Sequence, residues 1–469
     1  METKPSKSST GSENRRDFIK KTATAAAAVA TTNLFRTPVY GQSTAPSTGR
    51  VIGANDRIAV AVIGVGYGIG MNHHMGIQEK AAANNVVVAA GCDLALHRRQ
   101  WMAGGLELYG RKVKEPLKES DIYTDYRKLL ERKDIDAVVV ATHDTWHAKV
   151  SIDAMEAGKH VYCEKPMTRY LDEAFRIHDT VKRTGRVFTV GSQGCSADGW
   201  HKAAEMIKAG KIGQLVWGQG YYCRNNPKGE WNYAIDAQST AQNIDWETWL
   251  GPVKKRIPFN ADHFHRWRKY YPYCSGLLGD LVPHRLHPLM LASGNPEFPV
   301  RVTSIGSKNV HTDRNTPGTP ERDVPEHVQL LAQFPSGYMI TVTCSTVNSR
   351  SPGFVIYGHK ATLNIGDQGN VIELVPERPF TEEIEGEKLS GLQHEDIRVH
   401  EKNWFDCIRN GKQPNAGIDL AIKVQTVISL AEMSERMNIT CVFDEKTRKV
   451  TDGSGKEVKP LTYGSVELS

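Results

Sequence analysis

The sequence predicts an α/β protein that begins with a doubly wound, mainly parallel sheet and continues into a second domain rich in strands. Three observations indicate this. An apolar run at 57–63 leads into a glycine-rich turn, apolar runs then alternate with helical patterns as far as residue 163, and strand-like runs recur beyond residue 215. The chain after its first 41 residues exceeds what one hydrophobic core serves, so two domains are expected.

The first domain is predicted element by element. Residues 57–63, 86–91, 136–142 and 160–163 are nearly continuous apolar runs, as is typical of parallel strands buried on both faces. Residues 152–157 carry a helical pattern between the third and the fourth run. Ligands of such sheets bind outside the C-terminal ends of the strands, so we expect the chemistry there.

A glycine-rich turn, GVGYGIG at 64–70, follows the first strand. Gly64, Gly66 and Gly70 let the backbone turn tightly and approach a pyrophosphate, whose charge is met by amide groups at the next helix N-terminus. The last glycine comes one residue later than in the usual G-x-G-x-x-G pattern. Such a turn by itself is a weak indication, and an ordinary tight turn is the alternative.

Asp93, at the end of the second strand, indicates which dinucleotide binds. Its carboxylate would accept hydrogen bonds from both hydroxyls of the adenosine ribose and repel a 2′-phosphate, which favours NAD over NADP. Capping of the following helix is compatible with that role. Arg98 and Arg99 are close enough in sequence to accommodate a phosphate, so NADP remains the alternative.

The first 41 residues have the composition of a twin-arginine signal peptide. The motif NRRDF at 14–18 lies in a basic head, and an Ala-rich stretch at 22–31 is too short to span a bilayer. Residues 42–55 would form a linker. We therefore expect export of the folded protein to the periplasm and, because no nucleotide pool exists there, a tightly held NAD. A disordered N-terminal arm is the alternative.

Charge and cysteine usage narrow the class of partner. The net charge is +6, but residues 1–41 contain seven Lys or Arg and three Asp or Glu, which leaves 52 basic and 50 acidic residues. These charges are dispersed, so we expect a small molecule and no nucleic acid, and no membrane beyond export. The eight cysteines show no paired spacing and are interpreted as buried thiols.

Two motifs follow predicted strands at the edge where ligands bind. ATHDTWH at 141–147 follows the third strand, and Glu164-Lys165-Pro166 follows the fourth. With the glycine turn and a later segment, SGLLGDLVPHRLH at 275–287, they make the chain resemble the Gfo/Idh/MocA family of glucose-fructose oxidoreductases and inositol dehydrogenases. The resemblance runs in order from about residue 55 to 440.

The resemblance implies a domain order. The NAD-binding domain would span 56–185, and a substrate-binding and oligomerisation domain would span 186–440, with a large open, mainly antiparallel sheet covered by helices on one face. Residues 441–469 would be a polar C-terminal tail. Relatives commonly form dimers or tetramers through the exposed sheet face, so a homodimer or homotetramer is expected.

The resemblance also implies the catalytic residues. Lys165 would stabilise the alkoxide that develops on the substrate, and Asp280 and His284 would orient the substrate and act as general base. If a helix begins at 281–283, Asp280, His284 and His287 project on one side of it. We predict no metal, although a carboxylate with two histidines suits one. Helix capping with interior histidines is the other alternative.

Two more sets of residues complete the predicted site. Besides the three glycines and Asp93, the residues predicted to contact the cofactor are Thr142, His147, Glu164, Lys165 and Gln193. The residues predicted to contact the substrate combine aromatic faces with directed donors, which suits a carbohydrate: Tyr222, Arg224, Arg266, Trp267 and His287. An aromatic core that supports a long loop is the alternative.

Three functions fit these features. The leading hypothesis is an NAD-dependent oxidoreductase that oxidises or reduces a secondary hydroxyl of a sugar or glycoside. The first alternative is a glycosidase that uses the same NAD for transient oxidation and elimination, and the intact Glu164-Lys165-Pro166 motif favours the dehydrogenase over it. The second is a noncatalytic sugar-binding protein on the same fold.

Overall fold

The first half of the chain forms a six-stranded parallel sheet. A computed structural model describes residues 56–465, so the predicted signal peptide at 1–41 and linker at 42–55 lie outside the described residues. The strands of this sheet are β1 Ile58–Ile63, β2 Val86–Cys92, β3 Ile122–Tyr123, β4 Ala137–Val140, β5 His160–Cys163 and β6 Phe188–Val190. Their order, β3-β2-β1-β4-β5-β6, is the doubly wound order that the sequence predicts.

Helices cover this sheet. In chain order they are α1 Ile69–Glu79, α2 Ala81–Asn84, α3 Leu96–Met102, α4 Tyr126–Leu130, α5 Asp144–Glu156 and α6 Leu171–Thr184. Strand β4 is wholly buried and β1 nearly so, because a sheet covered on both faces has no polar side. This burial explains why the apolar runs in the sequence are continuous and do not alternate.

The second half forms an eleven-stranded sheet. Its strands are β7 Leu215–Cys223, β8 Arg301–Ser307, β9 His327–Gln333, β10 Met339–Ser345, β11 Phe354–Gly358, β12 Ala361–Ile365, β13 Val371–Pro376, β14 Glu387–Ser390, β15 Cys441–Asp444, β16 Lys449–Thr451 and β17 Glu457–Val458. Their order is β14-β13-β12-β11-β7-β10-β9-β8-β15-β16-β17. Only β7 and β10 pair in parallel among these neighbours, so the prediction of a mainly antiparallel sheet is confirmed.

The remaining helices are α7 Asp198–Lys208, α8 Trp246–Leu250, α9 Ala261–His265, α10 Leu277–Asp280, α11 Pro283–Ala292, α12 Ile397–Asn410 and α13 Ile418–Met437. Helices α7, α11 and α13 pack against the large sheet. Glycine on β7 permits the close approach of α11, since a Cβ at Gly220 would lie 2.7 Å from the Leu289 side chain.

The predicted domain boundary at 185/186 does not hold in the structure. Strand β6 is the sixth strand of the first sheet although it begins at Phe188. Helix α12 also belongs with that half, because its Trp404, Phe405 and Ile408 are part of the same buried core as β1 and β4. The apolar side chains of α12 therefore complete a core whose other residues come from a distant part of the chain.

The segment predicted as a polar tail, 441–469, is structured as far as it is described. Strands β15 to β17 extend the edge of the large sheet, and the chain then returns to the first half. There the Tyr463 hydroxyl lies 3.1 Å from both Thr145 O and Glu173 Oε1. The strands are two to four residues long, too short for their alternation to be recognised in the sequence.

Three further properties concern residues 56–465. None of their helices combines the length and apolar character needed to cross a membrane. All eight cysteines are free thiols and seven are buried, as predicted. No group of three or more His, Cys, Asp or Glu side chains in this range is arranged to hold a metal ion.

Candidate active site

The glycine turn lies between β1 and α1 and needs its glycines for two different reasons. Gly64 has φ of +87°, and a Cβ there would lie 2.7 Å from Ala141 O. A Cβ at Gly70 would lie 2.1 Å from Gly64 O. Gly68, at φ +94°, precedes α1, whose N-terminus no side chain caps. The turn therefore offers a close backbone approach and a helix N-terminus to an anion.

Asp93 is buried beside this turn and is tied to it. Its Oδ2 accepts a hydrogen bond from Val65 N at 2.8 Å, and its Oδ1 accepts one from Ala95 N at 2.9 Å. Arg98 lies above the turn, with Nη1 3.5 Å from Asp93 Oδ2 and 3.4 Å from the position of a Cβ on Gly66. The Arg99 guanidinium instead donates to Asp93 O. The contact of Asp93 with ribose stays a prediction.

A long segment of the second half, residues 231–273, passes along the C-terminal edge of the first sheet; we call it the strap. Near β2, Leu96 N donates to Asn243 O at 2.8 Å, and Arg98 lies 4.7 Å from the Phe264 ring centroid. Near β4, Trp249 stacks on His143 with centroids 4.3 Å apart. The strap thus contacts segments that follow β2 and β4, the two strands that flank β1 and its glycine turn.

The strap has its own aromatic core, which holds it in place. Trp246, Trp249, Phe264, Tyr270 and Tyr273 are all buried in one cluster that also contains Ala95 of the first half. Trp146 of α5 adds a hydrogen bond from Nε1 to Trp249 O at 3.2 Å. Because large aromatic side chains bury the most apolar surface per residue, this cluster is the main attachment of the strap.

Lys165 and Asp280, predicted from different segments, meet in the structure. Lys165 Nζ lies 2.5 Å from Asp280 Oδ1 and 2.8 Å from Asp280 O. Burial alone would raise the pKa of Asp280, but Lys165 and Arg268 outweigh it and hold this pKa well below its usual range. The aspartate is therefore a permanent anion that fixes the lysine ammonium.

Two strap residues complete the ion pair. Arg268 Nε donates to Asp280 Oδ1 at 3.1 Å, and Trp231 Nε1 donates to Asp280 Oδ2 at 3.0 Å. Trp231 adopts φ of +64°, a conformation that bulky residues rarely adopt. The strained backbone places its indole at the aspartate, as is common where a side chain is held for function.

His284 follows at the start of α11, whose first residue is Pro283. Burial lowers the pKa of His284 well below its usual value, and the charge of Lys165 lowers it further. The imidazole is therefore neutral at neutral pH and able to accept a proton. The helix begins within the predicted range 281–283, and Asp280 ends the separate helix α10, so the turn between the two helices brings Asp280 near His284.

The predicted cofactor residues gather at the strand ends. Thr142 lies directly under Gly64, and His147 is buried with its ring nitrogens 2.7 Å from Pro166 O and 3.1 Å from Thr142 O. Gln193 follows β6 in a short 3-10 turn, and a Cβ on the next residue, Gly194, would lie 3.4 Å from His284 O. These residues link the two strand ends to α11.

The predicted substrate residues divide into two groups. Tyr222 lies beside His284 with ring centroids 5.6 Å apart, Arg224 pairs with Glu230 at 2.8 Å, and Trp267 lies under the Arg268 guanidinium. Tyr222 and Trp267 thus lie beside His284 and Arg268, while Arg224 is tied to Glu230, the residue before Trp231.

The other two predicted residues have different positions. Arg266 Nε donates to Tyr233 O and its Nη1 to Asp262, so it braces the strap. His287 is buried within α11, with Nδ1 3.0 Å from Pro283 O. Sequence spacing alone did not distinguish these roles, because it says nothing about which way a loop residue points.

The structure gives positions in the site to four residues that had no assigned role: Trp231 and Arg268, which the sequence suggested only for the remaining pocket wall, and His143 and Asp144. Burial raises the pKa of Asp144 to about 7 and lowers that of His143 to about 3. Both belong to the motif at 141–147, and Arg268 is two residues from the predicted Arg266. The dense run of charged and aromatic residues at 263–270 was the only signal for Arg268.

The glycine turn fits a dinucleotide. A side chain at Gly64 or Gly70 would clash with backbone atoms of Ala141 or of the turn itself, so only glycine permits the tight turn that precedes the uncapped amides of α1, where a pyrophosphate would bind. The family description "Oxidoreductase family, NAD-binding Rossmann fold" matches residues 58–192, and the description "GFO/IDH/MocA C-terminal domain" matches residues 253–364. Together they span just over half of the chain. The chain belongs to the Gfo/Idh/MocA family of oxidoreductases. Its first domain is accordingly an NAD-binding domain.

Curated members of the family carry two kinds of name. A glycosyl hydrolase family 109 protein from Shewanella sp. (strain ANA-3) is 29% identical over 265 residues, which cover 53% of this chain and 56% of the relative. Inositol 2-dehydrogenase from Salmonella paratyphi B is 26% identical over 260 residues, which cover 55% of this chain and 70% of the relative. The chain thus matches a little over half the length of the first of these.

Solved structures of the Gfo/Idh/MocA fold agree in architecture. A levoglucosan dehydrogenase in complex with NADH superposes with a TM-score of 0.58 at 18% identity, covering 78% of this chain and 94% of that one. At this identity the likeness concerns the fold, and it extends over both sheets.

Proposed function

We propose that the chain is an exported, NAD-dependent oxidoreductase that oxidises or reduces a secondary hydroxyl of a sugar or glycoside. The observation that carries this proposal is the buried cluster at the end of β5, where Lys165 lies 2.5 Å from Asp280 and next to the neutral base His284. An ammonium and a neutral imidazole at one point are what oxidation of an alcohol needs, since the hydroxyl must lose a proton while its oxygen becomes negative.

Lys165 is the electrostatic catalyst in this proposal. Its ammonium has three donors, and two of them contact Asp280, which leaves one for the substrate oxygen. The negative charge that develops on that oxygen lies in a largely buried setting, where a fixed donor is most effective. Asp280, Arg268 and Trp231 keep the ammonium from rotating away.

His284 takes up the hydroxyl proton during oxidation and returns it during reduction. Its lowered pKa keeps it neutral at the start of oxidation, as a base must be. NAD supplies the hydride acceptor when bound. Tyr222, beside His284, offers an aromatic face to the C–H side of a sugar ring.

A tightly held cofactor is the second part of the proposal. The strap contacts Arg98 after β2 through Phe264 and His143 after β4 through Trp249, and we expect these contacts to slow the release of a bound dinucleotide. Retention through export requires a Kd in the nanomolar range or below, roughly 12 kcal/mol of binding. The enzyme would then regenerate its cofactor in place with a second sugar.

Release of the cofactor tests this part. The purified protein is denatured, the released nucleotide is identified by mass, and sugars are screened against the native protein by the absorbance of reduced nicotinamide. We expect NAD or NADH at close to one per chain, and Trp249→Ala should exchange it faster than the wild type. An exported protein that carries no nucleotide and binds NADH only weakly contradicts the proposal.

A glycosidase is the second candidate, favoured by the glycosyl hydrolase family 109 relative. Transient oxidation of a sugar makes the neighbouring C–H acidic, so the same Lys165 and His284 would serve an elimination. A chromogenic glycoside assay run beside a keto-sugar assay separates the two functions. Glycoside cleavage without keto product would make the glycosidase the better assignment.

Export to the periplasm is proposed from the NRRDF motif at 14–18, which lies outside the described residues. Changing Arg15 and Arg16 to Lys should leave the protein in the cytoplasm, and fractionation of cells measures this. Equal periplasmic amounts of the wild type and the doubly substituted variant would contradict the assignment.

A homodimer or homotetramer is proposed from the open face of the large sheet. Trp217, Leu331 and Met339 are each more than a third exposed on neighbouring strands, and Ile305 is 75% exposed. Pairing places these side chains on the same face, opposite α11 and α13. Light scattering should give a multiple of the chain mass, and Ile305→Glu should lower it.

A further inference from the structure

A fully buried histidine joins the helix of the glycine turn to the Glu164-Lys165-Pro166 motif. His73, on the second turn of α1, has Nε2 2.9 Å from Glu164 Oε1 and Nδ1 2.6 Å from Glu401 Oε1. A carboxylate only accepts hydrogen bonds, whereas a neutral imidazole has one donor and one acceptor. Between two ionised carboxylates, both contacts are hydrogen bonds only if both ring nitrogens carry protons, so the geometry favours the imidazolium.

The groups around His73 support its positive charge. On α12, Glu401 Oε2 accepts a hydrogen bond from Arg398 Nη1 at 2.7 Å, and burial lowers the pKa of His400 to about 4. On β5, the Tyr162 ring contacts the imidazole edge-on with centroids 4.9 Å apart. The charges therefore alternate from Arg398 through Glu401 and His73 to Glu164, and among residues 56–465 the hydrogen-bonding partners of the imidazole are these two carboxyl groups.

Burial by itself would lower the pKa of His73, but the hydrogen bonds to Glu164 and Glu401 outweigh it and raise this pKa to about 9. The contact with His73 also shifts the pKa of Glu164. Burial favours the neutral form of Glu164, yet His73 outweighs it and lowers the pKa of Glu164. The pair is thus ionised on both sides at neutral pH.

The Glu164 carboxylate has no room to move. A Cβ at Gly191, just after β6, would lie 2.4 Å from Glu164 Oε1, so glycine there is what admits the carboxylate. Its other oxygen lies 3.3 Å from Lys165 N. Glu164 is held from three sides, immediately before the lysine that contacts the substrate in the proposed function.

We propose that His73, held as a cation between Glu164 and Glu401, is a positioning residue that fixes the Glu164 carboxylate in the cofactor groove and so aligns the bound dinucleotide with Lys165. Without the cation, two buried carboxylates share one cavity, and one of them must take up a proton or turn away. The inference rests on the proposed function for the role of Lys165, but not for the charge of His73.

The first test compares neighbouring histidines on α1. His74 is as buried as His73, but it meets Trp101 edge-on and its Nε2 lies 3.4 Å from the Gln78 amide, where His73 has two carboxyl groups. We expect His73→Gln to weaken NADH binding at least about tenfold and His74→Gln to change it less than about threefold. If His73→Gln folds poorly, adding Glu401→Gln removes the second buried carboxylate and should recover folding, while Glu164 still lacks its cationic partner, so NADH binding should remain weaker than in the wild type. Equal affinity of the double variant and the wild type overturns the proposal.

The second test moves Glu164 without changing the charge. Gly191→Ala places a methyl group against Glu164 Oε1, and we expect it to weaken NADH binding in the same direction as His73→Gln. Unchanged affinity of Gly191→Ala shows that the position of Glu164 does not matter and overturns the proposal.

The third test needs no nucleotide and no substrate. Nitrogen NMR of the imidazole should show His73 doubly protonated at neutral pH and titrating near pH 9. A neutral His73 in a protein that binds NADH overturns this inference alone. Absence of NADH binding in the wild-type protein overturns the proposed function.

Discussion

The two ends of the proposed site are built in different ways. The cofactor end is mostly backbone from one segment, residues 64–70, together with strand ends that lie side by side because the sheet is parallel. The substrate end is an assembly of side chains, in which Lys165 meets Asp280 115 residues later and Arg268 and Trp231 arrive on the strap. The cofactor end depends on local backbone geometry, whereas the substrate end depends on how the two halves of the chain pack. Mutations should therefore impair one end while leaving the other intact.

Lys165→Met should have the largest effect. It removes the donor that stabilises the alkoxide, and we expect hydride transfer to slow by about a hundredfold to a thousandfold while the nucleotide content stays the same. Single-turnover reduction of bound NAD by a sugar substrate measures the rate. The matched control is Lys182→Met, an exposed lysine that pairs with Asp419 on the surface. Unchanged turnover would remove the lysine from the mechanism.

Gly70→Ala should damage the cofactor end first. The added Cβ would lie 2.1 Å from Gly64 O, a backbone atom that cannot move without displacing the turn. We expect nucleotide occupancy after purification to fall at least about tenfold, from a cost of a few kcal/mol. Gly105→Ala is the control, because the nearest atom to its Cβ, Gln100 O, is 3.6 Å away. Full occupancy in Gly70→Ala would mean that the turn does not approach the nucleotide.

Trp231→Phe should weaken the substrate end without changing the cofactor end. It removes one hydrogen bond to Asp280 and leaves Lys165 and Arg268 in place, which corresponds to about 1 kcal/mol, or roughly fivefold in kcat/KM for the sugar. Trp246→Phe, in the same strap, loses a comparable bond to Ile257 O and serves as the control. Equal losses in both variants would indicate a general effect of loosening the strap.

Asp144→Asn should have the smallest effect, visible only in the pH dependence of stability. Burial raises the pKa of Asp144 to about 7, so the carboxyl stays protonated in the folded protein up to that pH. Its contribution to the free energy of unfolding is therefore full below its ordinary pKa and is lost as the pH rises through about 7. We expect the variant to be more stable than the wild type at pH 8 and to show a flatter profile. Urea unfolding across pH measures this, with Asp153→Asn at the surface of α5 as control. An unchanged profile would mean that Asp144 does not titrate in this range.

The sequence anticipated the parallel sheet and the position of the glycine turn from hydrophobic runs and glycines. The family resemblance pointed to Lys165, Asp280 and His284, which the structure brings together, while their catalytic roles stay predictions. Prediction from the sequence failed where the local signature was short or absent. The strands after residue 440 are two to four residues long, and the boundary at 185 missed β6 and the contribution of α12 to the first core. His73 gave no signal either, since its partner Glu401 lies 328 residues away.

By itself, the sequence determined the order of strands and helices in the first half, the anion-binding turn and the presence of a lysine at the end of β5. These follow from hydrophobic periodicity and from glycine conformations, which act over a few residues. Only the tertiary structure decided that the Asp280 carboxylate accepts hydrogen bonds from Lys165, Arg268 and Trp231. It also decided that His73 lies between two carboxylates. Such charges are stabilised by partners brought together only when distant elements pack, because burial is costly for an ion that remains unpaired.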